Sequence, residues 1–162
     1  MSLFKIIRCT TQQEREFHEI RMAANPGMRT LAESILHDMS VLDGKSAALL
    51  TFISVVLAAL IFALDAVEPQ TPHFKFIQLG LYVLMFLFAL AATIDIRCLY
   101  TMGREDFDLH PTVANFEAKM LEEISLRRRR YRIALLIVES GVGLLLGFFV
   151  IWLLVTYSGN KI

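Results

Sequence analysis

From Leu31 onward the apolar residues recur at intervals of three, four or seven, at Leu31, Ile35, Met39, Leu42 and Leu49, and the pattern then fills in to nineteen uncharged residues from Ser46 to Leu64. The first part is the signature of an amphipathic helix. The second is long enough, at about 1.5 Å per residue, to cross a hydrocarbon core about 30 Å thick. No turn signal separates them, so the pattern predicts one helix that passes from water into lipid at Asp43-Gly44-Lys45-Ser46. Thr30-Leu31-Ala32-Glu33 has capping-box spacing and marks its start. An earlier capping box, Thr11-Gln12-Gln13-Glu14, predicts a short helix to about Ala24, with Phe17, Ile20 and Ala24 on one apolar face. Asn25-Pro26-Gly27 stops it. Before it, Met1 to Arg8 mixes apolar residues with Lys5 and Arg8, as a segment lying on a bilayer or on other helices does.

A second apolar run, Phe76 to Ile94, is bounded by Lys75 and Asp95 and follows a short loop with Pro69 and Pro72, which predicts an antiparallel hairpin. The third run, Ile133 to Tyr157, carries one charge, Glu139, with Trp152 and Tyr157 placed to anchor its far end at an interface. Ahead of it, Pro111 suits a first helical position, and Val113, Phe116, Met120 and Ile124 carry a helical stripe towards Arg127. That extension would stand about 33 Å above the bilayer.

The expected fold is therefore an all-α integral membrane protein with three transmembrane helices, two of them extended into a cytoplasmic helical bundle. Its expected divisions are a cytoplasmic helical segment 1–45, transmembrane helix 46–64, external loop 65–75, transmembrane helix 76–94, cytoplasmic segment 95–132, transmembrane helix 133–157 and external tail 158–162. The apolar stripes outside the membrane need cover, so a homo-oligomer is expected alongside the lipid bilayer as partner.

Composition agrees: 56% of the 162 residues are hydrophobic and the formal net charge is zero, with a mean hydropathy of +0.54. No nucleic-acid partner is expected. Residues 1–45 hold six Lys or Arg and residues 95–132 hold eight, against one each in loop 65–75 and the tail, which puts the N-terminus in the cytoplasm of an inner membrane. There is no signal-peptide pattern. Cys9 and Cys98 then both face a reducing compartment and read as structural.

No phosphate loop, metal-ligand spacing or nucleophile–base signature is present, so neither an enzyme nor a metal or other cofactor is expected. His18 lies four residues from Glu14, which suits an exposed helix-face pair. Arg127-Arg128-Arg129-Arg130, followed by Tyr131 and Arg132, stands where the third span begins. Such a cluster fixes topology and attracts anionic headgroups, or it turns guanidinium groups inward to a ligand's phosphate. Asp43, beside the apolar stripe, is expected to pair with one of these arginines, with Lys45 close by. Gly44 would permit close approach or a kink. Glu139 is an intramembrane carboxylate, at a depth also reached by Thr51 and Ser54, and is expected to turn towards other helices for a functional or structural role. Gly143 and Gly147 are spaced for helix packing, as are Ser54/Ala58 and Ala59/Ala63.

The Asp43-Gly44-Lys45-Ser46-Ala47-Ala48-Leu49-Leu50 entry to the first span, the hairpin, and the Arg-rich helix ending in Tyr131-Arg132 before a last span resemble the transmembrane effectors of bacterial Pycsar anti-phage systems, over about residues 28 to 157. Asp95-Ile96-Arg97-Cys98 lacks the proline expected after the second span, and no region resembles a separate cyclic-nucleotide-binding barrel. The resemblance implies a membrane effector that impairs the inner membrane after sensing a cyclic pyrimidine nucleotide, cCMP or cUMP. A phosphate-bearing ligand is then expected at Asp43, Lys45, Arg127, Arg128, Arg129 and Arg130. The alternative expectation is a non-enzymatic oligomeric membrane scaffold or small channel subunit without a nucleotide ligand.

Overall fold

A computed structural model describes residues 11–24, 30–67, 74–99 and 113–159, and these form four helices: α1 (Thr11–Ala24), α2 (Leu31–Ala66), α3 (Phe74–Ile96) and α4 (Val113–Gly159). Three of the four are long and apolar enough to cross a membrane. Both long patterns read from the sequence are unbroken helices. Nothing lies within 4 Å of a Cβ placed on Gly44, so no close approach is made there, and α2 continues through Asp43-Gly44-Lys45-Ser46 as one helix of 36 residues. α4 continues for 47 residues through the Arg-rich stretch. Met1 to Arg8, Cys9, Asn25-Pro26-Gly27, Pro69, Pro72, Pro111 and residues 160–162 lie outside the described residues, and the first two residues of the expected tail, Ser158 and Gly159, continue α4.

The capping box expected at Thr30 forms. Thr30 has extended backbone, its hydroxyl accepts from the Glu33 amide at 3.2 Å, and the Glu33 carboxylate accepts from the Thr30 amide at 3.2 Å. Glu14, in the equivalent place on α1, is completely buried and pairs with Arg128 of α4, while the side chain of Thr11 lies outside the described residues.

Two apolar cores lie end to end along the molecule. The lower one joins α2 and α4 through Ile35, Met39, Met120, Leu121 and Ile124. The upper one joins all three long helices through Leu49, Ile53, Leu60, Ile77, Leu81, Leu84, Phe88, Ala91, Ala134 and Val138. Because α2 advances from Ile35 to Ile53 while α4 advances from Met120 to Val138, these two helices run parallel, and α3 returns between them as the predicted hairpin. The stripe expected on α2 is the one buried, with Leu31 at its edge.

The glycines that let helices approach are not those expected. A Cβ on Gly141 would meet the Phe88 ring at 3.1 Å, and one on Gly80 would meet the Phe148 ring at 2.8 Å, so these two glycines set the α3–α4 spacing. Gly143 and Gly147 are exposed, and nothing lies within 4 Å of a Cβ on either. Within one chain they pack no helix.

The short helix differs most from expectation. Phe17, Ile20 and Ala24, its expected apolar face, are exposed, whereas Glu14 and His18 are 0% exposed. The cause is what α1 meets: it docks at the junction of α2 and α4, where charged side chains and not the apolar stripes confront it.

Candidate functional site

At the boundary between the two cores α1, α2 and α4 exchange charges. Consecutive residues on a helix diverge by about 100°, so neighbouring arginines on α4 cannot share a target. Arg127 is buried at the α2–α4 seam. Its Nε donates to Glu123 Oε1 at 2.9 Å and its Nη1 lies 3.4 Å from Asp43 Oδ1. The Asp43 pairing expected from the sequence is present, but the aspartate is 41% exposed, which makes this a weak, solvent-screened contact.

Arg128 points the other way, into a buried polar knot. Its Nη1 meets Glu14 Oε2 of α1 at 2.9 Å, its Nη2 pairs with Asp38 of α2, and its guanidinium carbon lies 5.2 Å over the Phe17 ring. Arg21 of α1 pairs with the other oxygen of Asp38. Two cations thus face two carboxylates across three helices. His18 completes the knot, with Nδ1 2.8 Å from Ser34 Oγ and Nε2 3.9 Å from Glu14 Oε2. Burial, the largest influence, holds the imidazole below its ordinary pKa, against the opposing pull of Asp38. His18 and Glu14 are therefore core groups, and the exposed helix-face pair expected from their spacing is corrected: α1 turns this face inward because Arg128 and Ser34 offer polar partners there.

Arg130 donates to the Arg97 carbonyl at 3.1 Å, tying α4 to the turn after α3. Arg129 is exposed, as is Lys45. The run of four arginines is thus divided among four surroundings, with two of its charges already neutralised by acidic side chains of this chain.

A second buried polar group stands at the same level. Ser46 of α2 donates to Asp95 Oδ1 of α3 at 3.0 Å, and the Cys98 thiol donates to the Arg127 carbonyl of α4 at 3.5 Å. Asp95, Ser46 and Cys98 are all 0% exposed. Burial first, then the nearby Asp95 carboxylate, push the Cys98 thiol up to about 11, so it is an inert core thiol, in keeping with the structural role expected of it. Asp95, which the sequence presents only as the end of an apolar run, gave no signal of this role; the hydroxyl that meets it is 49 residues away.

Farther into the apolar region Glu139 is exposed on α4, opposite the buried Ala134, Val138 and Gly141, and so does not face its own helix bundle. Thr51 and Ser54 are exposed on α2, their hydroxyls donating to the carbonyls of Ala47 and Leu50 at 2.9 and 2.8 Å. An open depression between α3 and α4 is lined by Leu87, Ile133, Leu136, Ile137 and Ser140, an apolar set that suits an acyl chain and offers a phosphate no cation. Among the described residues no group of three His, Cys, Asp or Glu is placed to hold a metal ion. No family model, no curated protein and no solved structure matches this chain.

Proposed function

We propose that this chain is a multi-pass, non-enzymatic effector of the bacterial inner membrane, with its N-terminus in the cytoplasm, that impairs that membrane when its cytoplasmic helices take up a cyclic pyrimidine nucleotide. One observation carries the reading: Arg128, on the helix that continues into the last span, is the cation that holds buried Glu14 of α1 and Asp38 of α2. A phosphodiester that captures this guanidinium leaves Glu14 buried without its cation, a state that α1 escapes by undocking. The ligand thereby selects an open arrangement of the cytoplasmic helices, and α2 and α4 carry the change into the bilayer without a hinge. The latch supports an anionic ligand; cCMP or cUMP as its identity rests on the likeness of the Asp43–Leu50 entry and the Arg-rich helix to Pycsar effectors.

The test is calorimetric titration of the purified protein in nanodiscs with cCMP and cUMP, beside membrane-potential measurements in cells supplied with either nucleotide. Micromolar binding lost in Arg128→Gln, with depolarisation that follows the nucleotide, is the expected result. A second reading, an oligomeric scaffold or small channel subunit without nucleotide, is favoured by the closed state of the charge network, in which Arg127 and Arg128 already have internal carboxylates. Depolarisation on expression alone, with no heat of binding, selects it.

A further inference from the structure

The outward faces of α2 and α4 carry two strips that this chain leaves uncovered. On α2, Ser54, Ala58 and Phe62 follow one another at four-residue spacing and all are exposed, Phe62 by 77%. On α4, Glu139, Gly143 and Gly147 do the same. Four-residue spacing places each set on a single helix face.

The strips match in level. The Asp43–Arg127 contact supplies a common reference level for these parallel helices. Ser54 lies eleven residues beyond Asp43 and Glu139 twelve beyond Arg127, or about 16 and about 18 Å along the two axes. The same offset brings Ala58 level with Gly143 and Phe62 level with Gly147. A hydroxyl thus stands beside a carboxyl, a methyl beside a bare backbone, and a ring beside a second bare backbone. Neither strip serves the chain's own core, and Glu139 has no hydrogen-bond or ion-pair partner among the described residues. A carboxyl group at this depth is strongly disfavoured against lipid, and small residues with an adjoining hydroxyl are what close helix contacts in membranes use.

We propose that the Ser54–Ala58–Phe62 strip of one copy packs on the Glu139–Gly143–Gly147 strip of a second copy, with the hydroxyl of Ser54 turned from its own Leu50 carbonyl to the neighbour's Glu139. Each copy offers one strip of each kind, so the contact is head-to-tail and repeats until a ring closes. The Glu139 site is incomplete without the neighbour. This assembly rests on the membrane reading given above.

The test is disulfide trapping in isolated membranes, in a Cys9→Ser background that keeps buried Cys98. Ala58→Cys, Gly143→Cys and the double variant are oxidised and resolved without reductant. A ladder of dimers, trimers and higher forms from the double variant, with both single variants monomeric, is the expected result. Dimers from either single variant overturn the head-to-tail contact in favour of a symmetric one. Monomers throughout, in protein that resists alkaline carbonate extraction, mean that lipid covers the strips. Bands outside the ladder mean a different protein does. Release by carbonate overturns the membrane reading itself, and this assembly with it. Should the cysteine variants fail to accumulate, particle masses in nanodiscs decide: a multimer for the natural chain and a monomer for Gly143→Leu support the contact, and monomers for both overturn it.

Discussion

Ser46 on α2 donates its hydroxyl hydrogen to Asp95 on α3 across 3.0 Å, and neither side chain reaches water. The second oxygen of Asp95 has no hydrogen-bond partner among the described residues, so the serine carries much of what holds this carboxyl group in the core. Ser46→Ala should destabilise the protein by about 1–3 kcal/mol, the penalty for stranding a buried polar group. Thermal unfolding of purified protein checks this. A melting temperature equal to that of the natural chain would show that another group satisfies Asp95.

Arg128 and Arg129 are adjacent in sequence and opposite in consequence. Arg128→Gln leaves buried Glu14 without its cation and should cost about 3–5 kcal/mol of α1 docking. Arg129→Gln, at an exposed position, should change stability by less than about 0.5 kcal/mol. Limited proteolysis separates them: cleavage near residues 11–24 accelerates in the first variant and not in the second.

His18 makes the docking of α1 sensitive to acid. Its folded pKa is lowered by burial, so the unfolded chain binds the proton first, near its ordinary value of 6.5. The stability from keeping this ring neutral is fully present above about pH 6.5. It is lost as the pH falls from there towards the depressed folded value, by up to about 1.4 kcal/mol per pH unit. Glu14 and Arg21 on α1, Asp38 on α2 and Arg128 on α4 surround the ring, and His18→Gln isolates its share. Hydrogen exchange of α1 at pH 7.5 and 5.5 should show acid loosening in the natural chain and a flatter response in the variant.

Two glycines two residues apart on α4 should behave as different residue types. A side chain at Gly141 runs into the Phe88 ring, which is 1% exposed and boxed in, so Gly141→Leu should lower stability by about 1–3 kcal/mol through overpacking. Gly143→Leu meets nothing within its own chain and should leave monomer stability intact. Unfolding of detergent-solubilised monomers makes the comparison.

How much of this was legible beforehand follows the reach of each signal. The helices of α2, α3 and α4 are written in local periodicity, and so is the cap at Thr30, because both partners of a capping box lie within three residues. The α2–α4 charge contact was half legible: bilayer depth brought Asp43 level with the arginines, but depth has no angle, so it could not say that Arg127 takes Asp43 while Arg128 turns to Glu14 and Asp38. The face of α1 was misread because amphipathic reasoning assumes an apolar host surface, and the surface α1 meets is polar. Asp95 and Ser46 were beyond reach, since one hydroxyl on one helix and one carboxylate on another announce nothing until the hairpin closes.

The 47 unbroken residues of α4 form a shaft about 70 Å long. A shaft without a joint cannot turn at one end and stay still at the other, so whatever grips its charged N-terminal half governs its apolar C-terminal half. A small antibody fragment raised against the α1–α4 junction would therefore act as a brake on the apolar half of the molecule while never touching it, giving experimenters control of the protein from a distance.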